Sequence, residues 1–131
     1  MIQLKDARRI IAAAEKKAEE KGQPMNFDVV DEGSNLIAFE RMANAWLGSI
    51  DIPQKNTWTA RAFDMTTKGL GANFQSGGQF FGIHATNNCK FMIFAGRVPL
   101  KKDGKIVGAV GISVGSGEQD HAVAEAGASA I

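Results

Sequence analysis

The chain has two histidines, and histidine is the residue type whose ordinary pKa lies nearest neutral pH. His121 follows Glu118 by three residues and precedes Glu125 by four, so a helix would place all three on one face. Such a group could begin a metal site, but without further ligands we favour ordinary charge pairing on a solvated face. His84 is the last residue of FFGIH at 80–84, whose apolar side chains could hold a flat ring. A histidine satisfied by one hydrogen bond is the alternative.

A glycine-rich stretch, Gly115-Ser116-Gly117, joins an apolar strand pattern to a helix start, as many phosphate-binding loops do. Ser116 and Gln119 match a capping box, in which each side chain bonds the backbone amide of the other residue. Glu118 and Asp120 in the first helical turn would repel a phosphate, and the Lys-Ser/Thr ending of a P-loop is absent. These residues predict a structural turn rather than a phosphate cradle.

Groups suited to catalysis are harder to find. Asp28, Asp31 and Glu32 cluster before a turn, but Asp and Gly at a hairpin are typical turn residues. Ser113 has no His and Asp at a spacing that would mark it as a nucleophile. Cys89 is the one cysteine, so no intrachain disulfide is possible. We expect a binding protein rather than an enzyme, with an enzyme acting on a small oxidised metabolite as the weaker alternative.

The elements that must position these groups begin with an amphipathic helix over residues 4–18. Residues 25–30 and 36–41 alternate in β fashion around the turn-rich residues 31–35, which predicts an antiparallel hairpin. Between residues 49 and 73 the β pattern stops, and we expect two short helices there.

The second half of the chain has a similar order. Residues 91–95 and 106–114 are strongly β-forming, with residues 101–105 as the hairpin tip, and residues 118–131 form a final helix. Because the strands come in adjacent hairpins, we predict one α+β domain over residues 1–131. Its sheet would be mostly antiparallel, with about five strands and flanking helices, as in profilin or PAS-like folds.

Charge and composition limit the partners. Lys plus Arg number 15 against 14 for Asp plus Glu, so no general field attracts nucleic acid or an anionic membrane. The charged N-terminal residues resemble neither a signal peptide nor a membrane span. We therefore expect a cytoplasmic protein with a small-molecule or protein partner.

Three stretches in order carry a family resemblance: VVDEGSNLIAFERM at 29–42, AGRVPL at 95–100 and DGKIVGAVGIS at 103–113. With them the chain resembles the GlcG/HbpS family of haem-binding proteins over nearly its whole length. It is also similar to the C-terminal domain of PduO-type cobalamin adenosyltransferases. Gly96-Arg97 stands where that family usually has Gly-Gly.

The resemblance implies a module that binds haem or a related tetrapyrrole such as a corrinoid. It further implies an accessory role in a metabolic operon, such as glycolate, propanediol or glycerol utilisation, and assembly into a homo-oligomer, often an octamer. The alternative is a structural protein without cofactor, which assembles through the glycines of the last strand, Gly108 and Gly111, and the alanine-rich residues 122–130.

Haem needs an apolar slot, an axial donor and often a cation near its propionates. The candidates for these contacts are His84, His121, Arg41, Arg61 and Arg97. Surface ion pairing is the alternative for the three arginines. Met42 and Met92 could be soft axial ligands, but methionine in β-rich surroundings is more often core filler.

Overall fold

The computed structural model describes residues 1–89 and 94–131, and for residues 53, 55, 56, 84 and 89 it describes the backbone only. The helices are α1 (Leu4–Glu20), α2 (Asp51–Phe63), α3 (Thr67–Asn73) and α4 (Gly117–Ala128). The strands are β1 (Asn26–Asp31), β2 (Leu36–Arg41), β3 (Arg97–Lys102) and β4 (Lys105–Ser113). Short 3-10 turns lie at Leu47–Ser49, Ile83–Ala85 and Asn87–Cys89.

The four strands form one antiparallel sheet in the order β2-β1-β4-β3. This confirms the α+β class, with one strand fewer among the described residues than expected. Residues 91–93 of the strand predicted at residues 91–95 lie outside the described part of the chain, and residues 94 and 95 precede β3, which begins at Arg97. The β3–β4 hairpin tip is also shorter than predicted, because Asp103 and Gly104 both accept positive φ angles of 50° and 74°.

Helices cover both faces of the sheet. On one face, α1 contacts β1 and β2 while α4 contacts β3 and β4. The main apolar core lies there, where Phe27 and Ile112 of the sheet pack with Ile10 and Val123 of the helices. On the other face, α2 contacts β1, β3 and β4. The small apolar cluster there contains Ala60 of α2. Strand β1 is therefore buried on both sides.

The start of α4 is a capped helix, as predicted. Ser116 Oγ accepts a hydrogen bond from the Gln119 amide at 3.2 Å, and Gln119 Oε1 accepts one from the Ser116 amide at 2.9 Å. Two helical N–H groups that would otherwise lack partners are thus satisfied locally. The Gly115-Ser116-Gly117 stretch works as a structural turn.

The glycines of β4 provide close approach inside the chain. A Cβ at Gly108 would collide with the carbonyl oxygen of Val30, and one at Gly111 would collide with the side chains of Asp28 and Thr57. Because β4 lies between β1 and β3 and α2 covers it, these glycines are not available to a second subunit. The expectation that this strand forms a subunit interface is wrong.

Candidate functional site

A row of residues crosses the sheet beneath α2. Asp28 of β1 and Arg97 of β3 are both register partners of Gly111, so the two charged side chains flank a glycine on the same face. The missing side chain leaves the space in which the Thr57 hydroxyl of α2 donates to Asp28 Oδ1 at 2.7 Å. The sequence of β4 thus makes room for a polar contact between helix and sheet.

Three ionisable side chains in this region are almost fully buried: Asp28 is 0% exposed, Arg97 1% and Asp120 of α4 6%. Burial raises the pKa of Asp28 to about 7, although the Thr57 hydrogen bond and the Arg97 charge oppose it. Burial likewise raises the pKa of Asp120 to about 6 against the Arg97 charge, and it lowers the pKa of Arg97 to about 10. With the Thr57 hydroxyl we call these groups the buried charge cluster.

Backbone contacts hold the cluster in place. Arg97 Nη1 donates to the carbonyl oxygen of Ala95 at 2.6 Å, and Asp120 Oδ1 accepts from the Gly115 amide at 2.9 Å. At Gly96, a Cβ would meet the Asp120 Cβ at 2.5 Å, so the chain before β3 lies against the first turn of α4. Asp28 Oδ2 has no hydrogen-bond partner among the described residues, which favours its protonated form.

A cleft of about 280 Å³ opens beside this cluster, and we call it the charged cleft. Its polar lining includes Arg97 and Asp120, and its apolar lining includes Trp46, Ile52 and Phe94. Val114, which also lines it, has a φ of 110°. A β-branched residue rarely adopts that conformation, and backbone strain of this kind concentrates at functional sites.

A second cavity of about 290 Å³ lies at the other end of α2, and we call it the apolar cavity. It is lined by Phe63, Met65, Leu70, Asn73, Phe74, Phe80 and Ile83. Phe74 and Phe80 meet edge to face, with ring centroids 6.2 Å apart. His84 directly follows Ile83 in a 3-10 turn, so its backbone adjoins the lining, while its side chain is outside the described residues.

A third cleft, of about 410 Å³, shares Met65 with the apolar cavity. Its lining includes Lys101 of β3 and Glu125 of α4. Met65 therefore borders two hollows, and Lys101 lines the larger one. Sequence reasoning missed Met65, because nothing in its local pattern separates it from core methionines.

The five residues proposed from the sequence are spread over the fold. Arg97 lines the charged cleft. Arg61 pairs with Asp64 at 2.6 Å, and His121 Nε2 lies 3.4 Å from Glu125.

Arg41 donates to the Ala45 carbonyl oxygen at 3.2 Å. Of the four candidate side chains that the structure describes, Arg97 alone lines one of the three hollows. His121 and Glu125 make the side-chain contact that their spacing predicts, and the described residues contain no group of three His, Cys, Asp or Glu placed to hold a metal ion.

The structure keeps the interpretation of one acidic residue and changes that of another. Asp31 is a turn residue as predicted, since its Oδ1 accepts from the amides of Gly33 and Asn35 at 2.8 and 2.9 Å. Asp28 is not, because it lies within β1 under α2. Met42 packs against the main core, as expected of core filler, while Met92 lies outside the described residues. The available signal was the position of Asp28 between the apolar residues Phe27 and Val29 in the alternating pattern, which is consistent with its place within β1.

Among the described residues, no helix combines the length and apolar character needed to cross a membrane.

Comparison with known proteins agrees with this architecture. A family model described as haem degrading protein HbpS-like matches residues 2–129. An uncharacterized 15.0 kDa protein in the dhaT-dhaS intergenic region of Citrobacter freundii is 37% identical over 124 residues, which are 95% of this chain and 87% of that protein. Corrinoid adenosyltransferase PduO of the same organism is 32% identical over 99% of this chain, which spans only 39% of PduO.

The solved structure of a PduOC:heme complex superimposes with a TM-score of 0.92 at 31% identity, covering 99% of this chain and 94% of that one. These matches extend over nearly the full sequence. This protein therefore belongs to the HbpS-like family.

Proposed function

We propose that this protein binds haem, with the porphyrin edge in the apolar cavity. The observation that carries the proposal is the lining of that cavity. Of its seven described lining residues, six are apolar and only Asn73 is polar. A flat hydrophobic macrocycle needs such a slot. The similarity to a PduOC:heme complex supports the same ligand.

The residues around the cavity fit the other needs of haem. Met65 would offer its thioether to the haem iron, and the chain at His84 adjoins the lining. Lys101, in the third cleft, would meet a propionate. The cavity of about 290 Å³ lies just below the roughly 300–1,000 Å³ range of ligand sites, so the macrocycle would extend into the third cleft. Bound haem would supply an iron centre capable of redox change.

A haemin titration followed by absorbance tests the proposal. We expect a Soret band that saturates at one equivalent, and the same titration with a cobalamin compares the alternative corrinoid ligand. Met65→Leu should weaken or shift the band, while Met42→Leu, a methionine of the main core, is the matched control. The same titration of His84→Ala and His121→Ala protein shows which of the two histidines contributes to the haem band. No spectral change at stoichiometric haemin would exclude the proposal.

A second candidate function is self-assembly, which the exposure of large apolar side chains supports. Trp46 and Leu47 are each 70% exposed and Phe94 is 60% exposed. Light scattering after size exclusion is the test: an oligomer, with eight subunits as the specific expectation, supports assembly, and a strict monomer contradicts it. We also propose a cytoplasmic location and an accessory role in a metabolic operon, in line with the gene position in the name of the Citrobacter relative.

A further inference from the structure

The charged cleft and the apolar cavity are separate places on the molecule. Ile52, in the first turn of α2, lines the charged cleft, and Phe63, the last residue of α2, lines the apolar cavity. At 1.5 Å of rise per residue, about 16 Å of helix separates them. The buried charge cluster therefore belongs to a site that the haem proposal does not use.

The chemistry of the charged cleft favours one kind of ligand. A guanidinium matches the two oxygens of a carboxylate better than any other side chain does, and Arg97 lines the cleft while 1% exposed. Trp46 and Phe94 border the same cleft, which gives an apolar ligand body two aromatic surfaces. A volume of about 280 Å³ has room for about ten non-hydrogen atoms, at about 30 Å³ for each water-sized group.

We propose that the charged cleft is a second binding site, which takes a small monocarboxylate with its apolar body between Trp46 and Phe94 and its carboxylate at Arg97.

Because carboxyl groups surround Arg97, binding of the ligand carboxylate should be coupled to the uptake of a proton. Asp28 faces it from β1 and Asp120 from α4, while α2 contributes the Thr57 hydroxyl and begins at the exposed Asp51. The side chain at residue 55 of α2 is outside the described residues. A ligand carboxylate takes over as countercharge of the guanidinium, so one aspartate is released to bind a proton.

The pKa values of the two aspartates, about 7 and about 6, set the pH range of this exchange. Above pH 6 the carboxylate of the incoming ligand must compete with an ionised Asp120 for Arg97. Below pH 6 Asp120 already holds its proton and does not compete. Affinity should therefore rise up to about tenfold for each unit of pH decrease between pH 8 and 6, because one proton is taken up per ligand.

Isothermal calorimetry with benzoate tests the proposal, and benzamide, which has the same ring without the charge, is the control ligand. We expect benzoate binding that strengthens from pH 8 to pH 6, with uptake of about one proton measured from buffers of different ionisation enthalpy. Benzamide should show no comparable heat. Failure of benzoate to bind at pH 6, or equal binding of benzamide, would overturn the proposal.

Variants test which residues hold the ligand. Trp46→Ala alters an exposed side chain and should weaken benzoate binding at least about fivefold, while Phe81→Ala, an exposed aromatic outside the cleft lining, is the matched control. Asp120→Asn should retain binding with a shallower pH dependence, and Arg97→Met should abolish it. Unchanged affinity in Trp46→Ala protein would contradict the site, even if Arg97→Met failed to fold. Haem-loaded protein should bind benzoate as the free protein does.

Discussion

Helices cover both faces of the sheet, but the two faces are stabilised differently. Strand β1 directs Phe27 and Val29 into the core under α1 and α4, and directs Asn26 and Asp28 towards α2. The first face is held by apolar contact, which does not depend on pH. The second face contains an arginine whose neighbouring carboxyls resist ionisation, so its stability depends on pH. We infer that the α1–α4 face supplies most of the apolar stabilisation, while the α2 face, joined by Asp120 at the start of α4, supplies the buried ionisable groups.

The largest expected effect comes from removing the cation of the polar face. Arg97→Met should destabilise the fold by about 3–5 kcal/mol at pH 8, because it leaves buried carboxylates without a countercharge. At pH 5 the loss should be smaller, since both aspartates are then protonated. Urea unfolding at the two pH values measures this.

Leu100→Ala, on the apolar face of the same strand, is the control: it should cost about 2–5 kcal/mol at both pH values. Equal losses at pH 5 and pH 8 for Arg97→Met would remove the distinction between the faces.

Gly111→Ala should cost about 1–3 kcal/mol, because the new Cβ collides with Thr57 and Asp28 and forces α2 away from the sheet. Thermal unfolding is the measurement. Gly48→Ala, where nothing lies within 4 Å of the added Cβ, should stay within about 0.5 kcal/mol of wild type. If Gly111→Ala left the thermal stability unchanged, the contact between α2 and the sheet would be loose.

The wild-type free energy of unfolding should fall as pH rises from about 4.5 to 7. Asp28 and Asp120 have folded-state pKa values of about 7 and 6 against the ordinary value of 3.8, so the folded protein binds more protons in this window. Each group contributes a slope of about 1.4 kcal/mol per pH unit while it titrates. Asp6 and Asp31, with lowered pKa values, act in the opposite direction but only near and below pH 4.

Denaturant unfolding across that window measures the slope. Asp28→Asn should flatten it, since the amide does not titrate, and should leave the part due to Asp120. A free energy of unfolding that rises between pH 4.5 and 7 would show that the two carboxyls are not buried as described.

The smallest effect is expected at the capped helix start. Ser116→Ala should cost about 1 kcal/mol, because it leaves the Gln119 amide without its partner. Ser129→Ala, at the opposite end of α4, removes only an exposed bond to a carbonyl oxygen and should cost less. Thermal unfolding measures the loss of stability in both variants. A larger loss in Ser129→Ala than in Ser116→Ala would contradict the capping box.

Local elements could be predicted from the sequence because their signals lie within a few residues. The amphipathic period gave α1, the alternation and turn residues gave the first hairpin, and Ser116 with Gln119 gave the start of α4. Of the strand expected at residues 91–95, residues 94 and 95 lie outside any strand, and the described pairing with β4 begins at Arg97, because apolar composition alone does not decide where pairing begins. The resemblance to a haem-binding family predicted the fold correctly.

The sequence by itself determined the local elements, the pairing of adjacent strands and the family. Only the tertiary structure decided that Asp28, Thr57, Arg97 and Asp120 meet, since they belong to four different elements. The physical reason is that desolvation depends on what covers a side chain. An aspartate in an alternating strand is exposed or buried according to elements that are distant in sequence, and burial beneath α2 raises the pKa of Asp28 although the Thr57 hydrogen bond opposes it.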